Sequence, residues 1–195
     1  REAQSVAAAT GGDYLLIQST SATGPAIAEN FVDKGVVFFD SHGSQSGTSS
    51  YLCLTTNSGI TQEDYNNGWA VRSGSAAWID GRYIEHHTPD TLSNCLVWMA
   101  ICEGMKRQGQ GTTGYALLRA GAGVVYGYSQ SVTFVGDYMY EATFWNAMKN
   151  ADDPATVADA FNLMAETHGL PDPRGDAWPI VMSEDDPFPA NPDSA

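Results

Sequence analysis

Three short apolar runs constrain this chain more than anything else in it: VVFF at 36–39, CLVWMAI at 95–101 and VVYGY at 124–128. They are rich in β-branched and aromatic residues, show no polar alternation, and end in polar or glycine residues. Runs of that kind read as strands covered on both faces, which is the condition of a parallel sheet. The segments between and after them carry helical spacing. PAIAENFVDK (25–34) places apolar residues at 27, 28, 31 and 32, with Pro25 in a first turn and Gly35 as terminator. GYALLRAG (114–121) and GDYMYEATFWNAMKN (136–150) follow, then DPATVADAFNLMAETHG (153–169) with Asp153 as N-cap and Pro154 at the first helical position. DYLLIQST (13–20) reads as a further strand, completing a βαβ unit with residues 25–40, and AWPIVM (177–182) reads as a last one. The alternation predicts an α/β protein: a three-layer α/β/α sandwich around a mostly parallel sheet.

Residues 43–93 break this rhythm. Short runs alternate with turns, and Asp80-Gly81 stands between AAWI and RYIE, the spacing of a two-residue hairpin. The expectation is one domain over 1–195, with its core at 13–182, a small β-hairpin insertion at 43–93, and a proline-rich tail at 183–195.

Composition mainly excludes. At 43% hydrophobic and 16% charged the chain can bury a core. It contains no run of 18 apolar residues, so no membrane span is expected. A formal net charge of −14 repels phosphate backbones, so nucleic acid is not an expected partner. Three cysteines are too few for a disulfide framework; Cys53 and Cys95 read as small buried hydrophobes, although the two could also pair. An acidic, cysteine-poor chain that opens at Arg1 fits a processed protein, secreted or held at a bacterial cell surface.

The chemistry is concentrated at two strand exits. VVFFDS leads into His42-Gly43, and CLVWMAI leads into Cys102-Glu103-Gly104. Ligands of open parallel sheets bind outside the carboxyl ends of the strands. On neighbouring strands the imidazole and the thiol would emerge side by side, a general base beside a nucleophile. Gly43, lacking a Cβ, could bring its backbone N–H close to a developing oxyanion.

An apolar strand ending in His-Gly, followed by one ending in Ala-x-Cys-Glu-Gly, resembles the motif pair of the caspase–haemoglobinase fold (clan CD cysteine peptidases). The flavour is that of its bacterial clostripain and gingipain branches and of legumain. The resemblance spans about residues 13–182 and is specific only at the two motifs. It implies His42 as catalytic histidine, Cys102 as nucleophile, and Gly43 with the Cys102 N–H as oxyanion donors. No cofactor or metal is implied, and the partner is a peptide or protein substrate. Relatives carry one more strand and helix ahead of the histidine strand than this sequence offers. The resemblance also places the pocket for the substrate's P1 side chain between the exits of the histidine strand, the cysteine strand and the next one. Here those exits supply Asp40, Ala100, Glu103, Tyr128, Ser129, Gln130 and Ser131. Ala100 stands where relatives often have an acid or amide. Small Ala100, neutral donors and acceptors at the rim, and Asp40 favour a polar or basic P1 residue and disfavour Asp.

The reading so far is a cysteine endopeptidase working through a thioester acyl-enzyme. Two alternatives stand beside it: a catalytically inactive relative serving as a binding or regulatory module, and another hydrolase or transferase using the same dyad. Taken singly, His42 reads as a structural histidine and Cys102 as an inert thiol; the pairing is what raises both. His86-His87, read on a strand, would point to opposite faces and make a poor metal site. Ser129 lacks the second glycine of a nucleophile elbow. Tyr138, Tyr140, Phe144, Trp145 and Met148 fall at helical spacings and read as core. The loop MKRQGQGTTG (105–114), with Lys106-Arg107, reads as an exposed self-cleavage site.

Overall fold

The computed structural model describes residues 2–88, 92, 94–106, 111–150, 152–171 and 178–183. Its strands are β1 (Val36–Asp40), β2 (Gly43–Ser46), β3 (Ser49–Leu54), β4 (Ala70–Ser73), β5 (Ala76–Asp80), β6 (Leu96–Ala100), β7 (Val124–Tyr128) and β8 (Pro179–Ser183). Its α-helices are α1 (Glu2–Thr10), α2 (Gly24–Glu29), α3 (Gln62–Asn66), α4 (Gly81–His87), α5 (Thr113–Arg119), α6 (Phe134–Met148) and α7 (Val157–His168). The protein is mixed α/β with a mainly parallel central sheet of order β1-β6-β7-β8, in which only β8 runs antiparallel.

The three apolar runs of the sequence are the three parallel strands, and period-2 alternation divides their side chains between two clusters. Phe39, Val97, Met99 and Val125 pack with Leu117 of α5 and with Tyr83 and Ile84 of α4. Phe38, Trp98, Tyr126 and Tyr128 pack with Tyr140, Phe144 and Trp145 of α6 and Ala160 and Met164 of α7. In that second cluster the Trp98 and Tyr126 rings stack with centroids 3.6 Å apart.

Before β1 the sequence misleads. Residues 13–18 form no strand, and Tyr14, Leu15 and Leu16 are more than half exposed. Their apolar run is a strand signal, but it finds no neighbour in either sheet, so the expected βαβ unit does not form. The stretch before it folds as α1, which contacts β1 and α6. The helix expected over 25–34 is the shorter α2, whose N-cap Thr23 accepts from Ala26 N–H. In α7 the cap is Thr156 and not Asp153, because its hydroxyl accepts from Asp159 N–H and the Pro154 segment stays outside the helix. Tyr138, expected in the core, is 54% exposed.

The region 43–88 is larger than a hairpin insertion. It builds a second, antiparallel sheet of order β2-β3-β5-β4 with α3 and α4 attached. Asp80-Gly81 is not a turn between strands but a strand-to-helix junction. The Asp80 carboxylate accepts from the N–H groups of Arg82 and Tyr83 and so caps α4. RYIE is therefore helical, and its apolar residues Tyr83 and Ile84 enter the main core. Gly81 suits this junction because the Thr112 carbonyl and the Ala116 methyl occupy the space of a Cβ.

Candidate active site

In β1 and β6, Asp40 pairs with Ala100, and the ladder continues one step further through Ser41 N–H to Ala100 C=O. The chain leaving β1 passes His42 and enters β2, while the chain leaving β6 passes Ile101 into the Cys102 turn. The two exits meet at Gly43. A Cβ built on it would lie 2.6 Å from Cys102 N and closer still to the Cys102 carbonyl oxygen. Only glycine allows the His42–Gly43 segment to lie directly on the Cys102 backbone.

The ladder of the second sheet orients that glycine. Cys53 N–H donates to His42 C=O, while Gly43 faces Leu52. Hydrogen-bonded and non-hydrogen-bonded pairs alternate in an antiparallel ladder. With His42–Cys53 as the hydrogen-bonded pair, Gly43 N–H points away from β3. Ser41 Oγ donates to Cys53 C=O at 2.7 Å and tightens the same corner. His42 is exposed and Cys102 half-buried, with its Sγ 3.7 Å from the Val132 carbonyl oxygen.

The turn after Cys102 is fastened to the exit of β7. Glu103 N–H donates to Gln130 C=O and Met105 N–H to Tyr128 C=O. Glu103 holds φ +60°, a left-handed conformation that a non-glycine residue adopts only under local constraint. Its carboxylate lies 3.5 Å from Lys106 Nζ, which also donates to Gln45 of β2. Met105 is buried against α5 and β7, its side chain occupying the space that a Cβ at 114 or 127 would take. The start of this loop is thus anchored. Lys106 of the expected cleavage pair is half-buried, while Arg107 lies outside the described residues.

A buried polar network, which the sequence reading missed, holds the second sheet to the loop. Ser50 Oγ accepts from Thr113 N–H at 2.8 Å, and Thr113 Oγ1 donates to Ser50 C=O. Ser50 and Gly81 N–H groups both donate to Gly111 C=O, and Ser49 Oγ donates to Asp80. The signal was the polar set SS at 49–50 and TT at 112–113, four hydroxyls in otherwise buried surroundings.

On the α6 side of the sheet, the side chains of Asp40, Ala100 and Tyr128 stand in a row at the three strand ends. Tyr128 is fully buried, and its hydroxyl donates to Asp137 Oδ1 at 2.8 Å. Asp137, in the first turn of α6, was not among the expected residues. Burial pushes its carboxyl up to about 6, with the Tyr128 hydroxyl and the Trp98 indole opposing and the Asp40 charge reinforcing that rise. Ser129 is buried and its Oγ has no partner among the described residues; Gln130 is half-buried and Ser131 exposed.

The remaining candidates lie elsewhere. His86 and His87 sit in the last turn of α4, not on a strand, with His87 Nε2 2.8 Å from Asp64 Oδ1. Among the described residues no group of three or more His, Cys, Asp or Glu side chains could hold a metal. All three cysteines are free, so Cys53 and Cys95 do not pair. No helix among the described residues is long and apolar enough to cross a membrane. No known protein-family model matches this chain, and no curated protein matches it in sequence.

Proposed function

We propose that the protein is a cysteine endopeptidase of the caspase–haemoglobinase type, a three-layer α/β/α sandwich whose dyad is His42 and Cys102. The observation that carries this reading is the contact of Gly43 with the Cys102 backbone. It brings the exits of two adjacent parallel strands together at the carboxyl edge of the sheet, one with an imidazole and one with a thiol. The Gly43 N–H, left unused by β3, supports the oxyanion role.

In this mechanism the Cys102 thiolate attacks the scissile carbonyl carbon. The oxygen takes up the negative charge, held by the N–H groups of Gly43 and Cys102. The tetrahedral intermediate collapses to a thioester as the C–N bond breaks, and His42 gives a proton to the leaving amine. Water, deprotonated by His42, then attacks the thioester and releases the acid product and Cys102. A polar or basic P1 side chain enters between Asp40, Ala100 and residues 128–131. Secretion or surface display in a bacterium belongs to the same proposal.

The test is alkylation and turnover. Iodoacetamide should modify Cys102 and abolish cleavage of a fluorogenic peptide library, and Cys102→Ala should fall at least about 1000-fold. An alanine variant as active as the wild type overturns the proposal. Failure of a peptidyl electrophile to label Cys102 in folded protein would instead favour a non-catalytic binding module.

A further inference from the structure

We propose that the outer face of the antiparallel sheet is a recognition groove for the leaving segment of the substrate, in which Trp78 selects a bulky aromatic side chain on the third residue after the scissile bond. The identity of the occupant rests on the peptidase reading. The groove and its alignment with His42 rest on the register of the sheet.

Residues paired across an antiparallel ladder put their side chains on the same face. The β2–β3 ladder reaches back one step beyond the Gly43–Leu52 pair, where Cys53 N–H donates to His42 C=O. Cys53 pairs with Trp78 of β5, and Trp78 with Val71 of β4. His42, Cys53, Trp78 and Val71 therefore form one row across the whole sheet. Ser44 and Tyr51 belong to the next row on the same face. The opposite face carries Leu52, Leu54, Ala70, Ala77 and Ile79, all buried in the main core. On the outer face Trp78 and Tyr51 are half-buried and Val71 is 48% exposed. Between them lies a groove of about 210 Å³ lined by Ser44, Ser46, Tyr51, Val71 and Trp78.

None of the lining side chains is charged. Indole, phenol and isopropyl surfaces gain most by covering an apolar side chain, and a ring adds its own pairing with Trp78 and Tyr51. The groove is smaller than the roughly 300–1,000 Å³ of sites for whole drug-sized ligands, so it suits a single side chain. Its place in the substrate follows from spacing. His42 gives its proton to the leaving amine, so the departing segment begins at His42. Neighbouring strands lie about 4.8 Å apart, which puts Trp78, two strands away, roughly 10 Å from His42. An extended peptide advances about 3.3 Å per residue, so its third residue reaches Trp78. The Ser44 and Ser46 hydroxyls line the β2 side of the groove, where they can bond the peptide backbone. An acidic side chain at that position is disfavoured by the apolar floor and by the net charge of −14.

The experiment uses matched peptides that share the sequence up to the scissile bond and carry Phe, Ala or Glu as the third residue after it. A further substrate replaces everything after the bond with an aminocoumarin. In the wild type kcat/KM should be about 10-fold or more higher for Phe than for Ala, with Glu lowest. In Trp78→Ala the Phe-to-Ala ratio should collapse toward one, while the coumarin amide, which places nothing in the groove, loses far less than the Phe peptide. A Phe-to-Ala ratio that survives in Trp78→Ala, or a wild type that cleaves all three peptides equally, overturns the groove and leaves the peptidase reading standing. A second measurement needs neither turnover nor the Trp78 variant. The pentapeptide Ala-Ala-Phe-Ala-Ala, standing for the released segment, is titrated into isotope-labelled Cys102→Ala and followed by NMR. Saturable shifts should appear at the Trp78 indole N–H and at Ser44, Tyr51 and Val71, and pentaalanine should give much smaller ones. That result upholds the groove even if no peptide is cleaved and Cys102 resists alkylation, in which case the peptidase reading alone falls. Equal shifts with both peptides, or none at these four residues, overturn the groove.

Discussion

The antiparallel sheet and the parallel sheet each place a carboxylate at a passage from strand to helix, and they treat it oppositely. Asp80, closing β5, is fully buried and saturated. It caps α4, accepts from Ser49 Oγ, and takes Arg82 Nε at 2.8 Å. Asp137, reached from β7 through the loop 129–133, has the Tyr128 phenol, the nearby Trp98 indole and no described cation. The first carboxylate is a structural joint whose charge is already answered. The second is met only by neutral groups and by no cation among the described residues, and it stands where three strand ends converge. A closed polar site contributes to one conformation; an open one is available to a ligand.

Removing the closed site should have the largest effect. Asp80→Ala deletes the cap, removes the only described carboxylate on Arg82, which keeps the Gly68 carbonyl and Ser49 Oγ as acceptors, and leaves the Ser49 hydroxyl without its acceptor. A cap alone is worth about 1 kcal/mol and breaking a buried ion pair about 3–5, which half-exposed Arg82 reduces. A loss of about 3 kcal/mol is expected. Because β3, β5 and α4 converge on Asp80, hydrogen exchange should rise first at β2–β5 and α4 while β6 and β7 stay protected. Uniform loss of protection would show that the two sheets are a single cooperative unit.

Substituting the open site should do the reverse. Asp137 titrates near 6 in the fold and about 3.9 in an unfolded chain. Between those values the native state holds a proton that the unfolded state has released, so stability falls as pH rises from about 4 to about 6. Asp137→Asn keeps an acceptor for Tyr128 and has no charge to bury. It should match the wild type near pH 4 and exceed it by about 2–3 kcal/mol at pH 8. Denaturant unfolding at the two pH values measures this. A variant less stable at pH 8 would mean that the carboxylate is as well satisfied as Asp80.

The same contrast explains what the sequence could tell. The parallel strands were legible because burial on both faces demands short apolar runs such as LVWMA, bounded by polar or glycine residues. The exits were legible because His-Gly and Cys follow those runs directly. The antiparallel sheet was not, since Asp80-Gly81 is compatible with a turn and with a helix cap. What decides between them is Arg82 and the packing of Tyr83 and Ile84, contacts between distant segments. The run at 13–18 failed for the opposite reason: its apolar residues ask for a sheet edge that this fold does not give them. Asp137 was invisible because an acid in a first helical turn is ordinary. Only its meeting with Tyr128 and Asp40 makes it unusual.

The smallest expected effect separates the two duties that Asp80 combines. In α4 one residue is both cap and buried acid. In α6 the cap is Thr133, whose hydroxyl accepts from Gly136 N–H at 3.0 Å, and the acid is Asp137, four positions later. Thr133→Ala should therefore cost about 1 kcal/mol through the lost cap, equally at pH 4 and pH 8, and Thr133→Ser should restore it. The pH dependence assigned to Asp137 should survive, because Asp137 N–H bonds to the Thr133 carbonyl, which alanine retains. If Thr133→Ala flattens the pH profile as Asp137→Asn does, the cap and the acid act as one unit in α6 as they do in α4. The open site would then depend on the helix end as a whole.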